Sequence, residues 1–461
     1  MAEAPRSLVT SQGADLFARP DALEAVLDGP LAWHVSRLAL PNLIPFAAIL
    51  VLISIDAIVV GRLGREALAA LSLVFPLLML SQTMAAGGVG SAVASMVARA
   101  LSAGEVRYAR SLALHGLLIA IGISSISAVL MIGYGQSLFI AMGASGDVLE
   151  SAVAYGTLIF LGAAAPWVVN VAAGISRGAG NMKMPAVAMA VSAAIYVVVC
   201  PAFTLGIGPF PGLGLSGTAV AFVLSYAVGG VLILRSLASM AFGLRFREFL
   251  PNVGTFAKIL RLAGLGAVNA ATSNITVLVA TGFVGHLGPA ALAGYGLGAR
   301  LEYVVIPLSF AVGTALVTVV GANIGAQKIE RAKRAAWTGA ALAVIATTII
   351  GGLAALFPRA WLTLFTDDGE IVQAGVTYLR IVGPFYGCFG LGLALYFAAL
   401  GAGRPTVAVA AAILRLAVVA VGLYVIADTL SRACGVVAAG FLVYATTIFL
   451  GTRLSSWRRP L

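Results

Sequence analysis

Charge is what this chain has least of. Of its 461 residues, 10% are Asp, Glu, Lys or Arg and 61% are hydrophobic. No water-soluble globular protein is built on those proportions, so a chain that crosses a membrane many times is expected. Histidine and cysteine are equally scarce, at three residues each. His34, His115 and His286 lie far apart, as do Cys200, Cys388 and Cys434. That scatter supports neither a disulfide framework nor a metal site, and no cofactor is expected. Acids are also few, 17 against 28 Lys and Arg, for a formal net charge of +11. The excess does not imply nucleic acid, because the cations stand between apolar runs and report topology. The N-terminal stretch lacks the apolar core of a signal peptide. Residues 1–36 mix Asp15, Asp21, Glu24 and Asp28 with Arg6 and Arg19 and read as a cytosolic tail.

What is present is apolar sequence in spanning lengths. Runs near 38–61, 68–98, 111–133, 151–175, 184–205, 214–235, 260–284, 291–320, 335–357, 374–399, 406–427 and 435–452 predict about twelve transmembrane helices. An all-α membrane protein follows. Loops after even-numbered helices are basic, with Arg99, Arg107 and Arg110 after the second and Lys328, Arg331, Lys333 and Arg334 after the eighth. Loops after odd-numbered helices hold acids such as Asp147, Glu150, Asp367 and Asp368. The positive-inside rule then puts both termini in the cytoplasm.

The chain repeats itself. Val60-Gly61-Arg62-Leu63-Gly64 returns as Val284-Gly285-His286-Leu287-Gly288, a shift of 224 residues (284 − 60). Val89-Gly90-Ser91 returns as Val312-Gly313-Thr314, and Gly178-Ala179-Gly180 as Gly401-Ala402-Gly403. Six helices per copy is an even number, so both copies enter from one side as parallel repeats, with a site expected between the lobes. The predicted divisions are a tail at 1–36, a first lobe at 37–235, a linker at 236–259, a second lobe at 260–453 and a tail at 454–461. Alternating apolar and basic residues in 236–259 predict a helix lying on the membrane surface.

Helix 1 holds the two residues least at home in hydrocarbon. Asp56 is a carboxylate near one end, and Pro41 removes a backbone donor near the other. An ionised acid at that depth is costly and marks an ion or substrate pathway, which suits Asp56 to carrying a proton. The alternative is an acid reaching water beside Arg62. For Pro41 the readings are a helix bend and a plain helix-start proline.

Asp56-Ala57-Ile58-Val59-Val60-Gly61-Arg62-Leu63-Gly64 resembles the D-x-x-x-V-G-R-L-G stretch of the multidrug and toxic compound extrusion (MATE) family. Gly174 to Pro185, with Arg177-Gly178-Ala179-Gly180, is similar to its R-G-x-G…P turn. Arg300-Leu301-Glu302 resembles its R-[LI]-E motif, and Val320 to Ala326 its V-G-Q-N-x-G-A turn with Ala322 in place of Gln. The resemblance covers about the whole membrane region. It implies a V-shaped, two-lobe antiporter in the bacterial inner membrane that exports amphipathic, often cationic compounds against protons or sodium. A monomer needing only substrate, coupling ion and lipid bilayer is expected. Family members hold the cation with the helix-1 acid, an Asn and Asp pair in helix 5 and a hydroxyl in helix 6. Those positions fall here on Asp56, Tyr196, Cys200 and, near the last, Phe222, which favours a proton over sodium.

In the second copy, Glu302 is an acid within helix 8. Arg300, two residues before it, should face elsewhere. Arg380 and Arg415 are its expected partners, in a structural ion pair or a substrate site. Tyr303 and Tyr386 are candidates to line a cavity for cations, or else belong to packing and interfacial belts. Asn170 and Gln82 are read as interhelical hydrogen-bonding residues, with support of Asp56 as the other reading. Gly212-Leu213-Gly214-Leu215-Ser216-Gly217 fits a dinucleotide fingerprint but follows a membrane helix, so it is set aside. An intramembrane enzyme would need facing acidic clusters. Asp367-Asp368 has no counterpart, so no enzyme is expected. The remaining alternative is a flippase or exporter for an anionic or lipid-linked metabolite, on the strength of Arg300, Arg380 and Arg415.

Overall fold

Pro30 stands in extended conformation and the first span begins on the next residue. This computed structural model describes residues 27–207, 210, 212–240, 243–244, 249–454 and 457. Among them, eleven helices are long and apolar enough to cross a membrane, and up to twelve when a bent pair counts as one span. They are α1 (Leu31–Gly61), α2 (Arg65–Ser102), α3 (Val106–Ala141), α4 (Gly146–Leu161 with Ala164–Gly178), α5 (Lys183–Leu205) and α6 (Leu215–Ser239). The second set is α7 (Val253–Gly285), α8 (Pro289–Gly325), α9 (Ile329–Leu356), α10 (Gly369–Gly401), α11 (Thr406–Val425) and α12 (Leu430–Leu454).

Helix α1 starts inside the stretch read as tail, because His34, Ser36 and Arg37 interrupt its hydropathy while Val35, Leu38 and Ala39 still bury one face. The linker is likewise shorter than expected, since α6 runs to Ser239 and α7 starts at Val253. The separate surface helix expected over 236–259 is a correction: 236–239 end α6, 253–259 begin α7, and the described residues between them, 240, 243–244 and 249–252, are not helical, while 241–242 and 245–248 lie outside the described residues.

The repeat is written in backbone angles as well as residues. Gly64 (φ 112°) and Gly288 (φ 113°) open α2 and α8 with the same left-handed turn, one that glycine adopts without a side-chain clash. Gly180 (φ 81°) and Gly403 (φ 73°) match in the same way. Gly104 (φ 79°) is matched by Gln327 (φ 60°), the one non-glycine at positive φ among the described residues.

Several spans are broken where sequence reading draws them whole. A 3-10 turn, Leu40–Asn42, interrupts α1 at Pro41. A π-helical turn, Met84–Gly90, widens α2. The halves of α4 meet at 43°. A 3-10 turn, Gly383–Phe385, breaks α10, and α8 is interrupted between Ala299 and Glu302. Such breaks free backbone groups inside the membrane and are tolerated where neighbouring helices satisfy them.

Apolar packing divides three ways. One buried cluster belongs to the first lobe around Val60, Tyr155 and Tyr196, and one to the second around Val284, Tyr378 and Phe441. The third spans both lobes, including Val89 and Val97 of α2, Leu316 and Val317 of α8, and Leu400 of α10. Across this seam Ser95 Oγ donates to the Leu400 carbonyl at 2.6 Å, Asn42 Nδ2 to Thr314 Oγ1 at 2.9 Å, and Thr318 Oγ1 to the Arg177 carbonyl at 2.8 Å. Glycines bring the backbones together: a Cβ on Gly325 would come within 2.3 Å of the Arg99 carbonyl. The lobes therefore join toward the end of the bundle where α2, α4 and α8 finish.

Candidate functional site

Each lobe holds one partly buried acid against a tyrosine. In the first, Asp56 sits on the second half of α1, between the break at Pro41 and the exit at Gly61. Tyr196, buried on the adjacent α5, donates its hydroxyl to Asp56 Oδ1. Phe222 of α6 meets the Tyr196 ring edge-on, with centroids 6.3 Å apart. Cys200, one turn after Tyr196, lies 3.9 Å from Thr204 Oγ1. Tyr196, Cys200 and Phe222, the positions expected around the acid, share one buried cluster, and Tyr196 joins it to Asp56. They present a phenol, a thiol and a ring.

Asn170 and Gln82 do not join this cluster. Asn170 Nδ2 donates to Gln82 Oε1 at 2.7 Å and to the Pro166 carbonyl at 2.9 Å, which ties α4 to α2. Trp167, three residues earlier on α4, adds a second tie by donating its Nε1 to Ser81 Oγ at 2.8 Å.

In the second lobe, Glu302 is the first residue of the helical half that resumes after the break in α8. Its position at a helix start places the carboxylate where the helix dipole favours negative charge. Tyr378 of α10 donates to Glu302 Oε1 at 2.8 Å, and its oxygen lies 3.4 Å from that of Tyr386. Tyr295 packs edge-on to Tyr378 at 4.8 Å.

The expected arginine partners are a correction. Arg380 is exposed and makes no ion pair with Glu302; it follows Tyr378 by two, and residues two apart face different ways on a helix. Arg415 is buried in the same lobe but also forms no ion pair with Glu302. Its guanidinium lies over Phe441 at 4.6 Å, and its Nε has no hydrogen-bond partner. Tyrosine hydroxyls, not arginines, satisfy the acid. Tyr378 is the residue sequence reading missed. Its only signal is a spacing of eight from Tyr386, about two helical turns.

Arg300 forms no ion pair with Glu302, and its guanidinium stacks over Phe365 at 5.6 Å. Together with Asn274, Tyr295, Glu302, Tyr303 and Thr366, it lines a cavity of about 770 Å³. Tyr303 is 64% exposed and so offers its ring to this space, whereas Tyr386 is fully buried and serves packing. The cavity brings an acid, an arginine and aromatic faces together on the second lobe. That combination suits a large organic ion.

The sequence profile described as MatE matches residues 41–202 and again 267–426, so the two copies are each recognised. The chain belongs to the MatE family. As a MATE protein it is a multi-pass membrane transporter and not an enzyme. It is similar to a FAD transporter of Shewanella oneidensis, 29% identical over 377 residues, which covers 79% of this chain and 81% of that one. It is also similar to a probable multidrug resistance protein NorM of Thermotoga maritima, 26% identical over 290 residues, 63% of this chain and 62% of that one. Among solved structures, a MOP superfamily transporter from Pyrococcus furiosus matches with a TM-score of 0.85 at 25% identity, over 93% of this chain and 97% of that chain. For that transporter, the reverse polarity of the binding pocket suggests a different function. This MATE chain thus has the two-lobe, twelve-helix fold expected from its repeat.

Proposed function

We propose that this transporter exports amphipathic, cationic organic compounds from a bacterial cytoplasm in exchange for protons. Both termini then lie on the cytoplasmic side of the inner membrane, and the chain works as a monomer. The observation that carries the reading is the surroundings of Asp56. Sodium calls for several hard oxygen ligands, and Tyr196 supplies one while Cys200 and Phe222 supply none. A lone carboxylate carries a proton without further ligands. Protonation removes a charge from the membrane interior, which lets α1 repack about its break at Pro41 and favours release of cargo. Glu302, at the wall of the second-lobe cavity, is the anchor for a cation, with Tyr295 and Tyr303 supplying aromatic faces.

A second reading has one observation in its favour. Arg300 lines the same cavity as Glu302, and a relative is named for FAD, so an anionic cargo would find its counter-charge there.

Proteoliposomes separate the coupling ions. A pH gradient without sodium should drive uptake of a cationic dye into inverted vesicles, and a sodium gradient at uniform pH should not. The reverse result defeats proton coupling. Transport of FAD with no transport of cationic dyes would favour the anionic reading.

A further inference from the structure

The seam between the lobes is not fully closed at the end where α2 and α8 finish. A cavity of about 400 Å³ remains there. That is within the range of about 300–1,000 Å³ typical of ligand pockets. Its wall comes from both lobes: Arg99 of α2 and Tyr108 of α3 on one side, Lys258 and Arg261 of α7 on the other, with Glu105 as the one acid. Three cations therefore face one carboxylate.

Among the described residues, Arg99, Lys258 and Arg261 form no ion pair. Arg99 uses Nε to reach the Ser95 carbonyl at 3.3 Å, and its Nη groups have no protein acceptor among the described residues. The head is held against Gly403, where a Cβ would meet Nη1 at 2.1 Å, so the fork is confined to the cavity. Lys258 and Arg261 stand three apart on one helix face, a spacing at which like charges repel unless an anion sits between them. Planar guanidinium forks flanked by an ammonium are suited to the several oxygens of a phosphate.

We propose that this cavity binds a phosphate-bearing anion, and that the bound anion clamps the two lobes together at this end. Because its contacts come from both lobes, the ligand binds this arrangement more tightly than one with the lobes parted, and so shifts the population toward it. The inference is independent of the cargo and of the coupling ion. The same oxygens are offered by an acidic phospholipid headgroup and by a free polyphosphate.

The test uses the full chain in nanodiscs. In phosphatidylcholine discs, titration with pyrophosphate is followed by thermal shift and by hydrogen–deuterium exchange. Discs containing phosphatidylglycerol are compared without added pyrophosphate. The expected result is a rise in Tm, with slower exchange in residues 96–108 and 253–265 together. Protection by pyrophosphate identifies a free phosphate as ligand, and protection in phosphatidylglycerol alone identifies a lipid headgroup. Lys258→Gln with Arg261→Gln, both on exposed residues, should weaken either effect at least about tenfold. No protection from either source, protection confined to one lobe, or protection undiminished in the double variant would overturn the proposal.

Discussion

The phenol of Tyr378 donates to Glu302 at 2.8 Å, and the phenol of Tyr196 donates to Asp56 in the other lobe. The two pairs are not copies by register, since Asp56 lies on the first helix of its lobe and Glu302 on the second of the other. They are alike in chemistry. Each holds an acid within the membrane by one strong hydrogen bond and not by an ion pair, which leaves the charge free to respond to a proton or a cation.

Removing the phenol should expose that dependence in the second lobe. Tyr378→Phe leaves Glu302 without its donor at a cost of about 1–3 kcal/mol, read as a lower Tm. Glu302→Gln keeps a hydrogen-bond acceptor and should fold, yet lose affinity for a cationic dye. Normal export by both variants would remove Glu302 from the cargo site.

In the first lobe the expected separation is between binding and pumping. Asp56→Asn should bind a cationic dye with near-normal affinity and fail to export it down a pH gradient. Equilibrium binding in detergent and flux in proteoliposomes measure the two independently. Export at the native rate would show that the proton travels elsewhere.

Gln327 offers a test on stability alone. It adopts the left-handed conformation that Gly104 adopts in the first copy. Relief of that strain outweighs the added freedom of an unfolded glycine, so Gln327→Gly should stabilise by about 0.5–1 kcal/mol. Thermal unfolding decides the sign.

Gly174 should be intolerant. A Cβ there would lie 2.2 Å from the Gly90 carbonyl, and backbone cannot swing aside as a side chain can. Gly174→Ala is expected to cost roughly 1–3 kcal/mol or more and to part α4 from the π turn of α2. Unchanged yield and Tm would contradict the packing.

Orientation is testable by reporter fusions. Those at Asp147 and Asp367 should report outside, and those at Arg177 and Lys333 inside. Reversed signals at either pair would contradict the parallel two-lobe arrangement.

Spans, repeat and the acid in helix 1 were legible in the residues because each is a one-dimensional property. Hydropathy depends on local composition, a repeat on recurrence, and an acid such as Asp56 stands out against its neighbours wherever the helix is placed. Partners were not legible. Arg380 and Tyr378 stand two apart on α10, and only the rotation of that helix, set by its packing on α8, decides which meets Glu302. Arg415 was drawn to the acid by charge, yet Phe441 lies beneath its guanidinium. The breaks in α4, α8 and α10 were hidden too, since apolar composition continues through them and only neighbouring helices can satisfy a freed backbone. Sequence alone thus determined that this chain crosses the membrane in two equivalent halves with an acid on the way. Tertiary structure decided what each acid touches and that the lobes close around a cationic cavity at one end, because side-chain direction and the meeting of distant helices depend on packing in three dimensions.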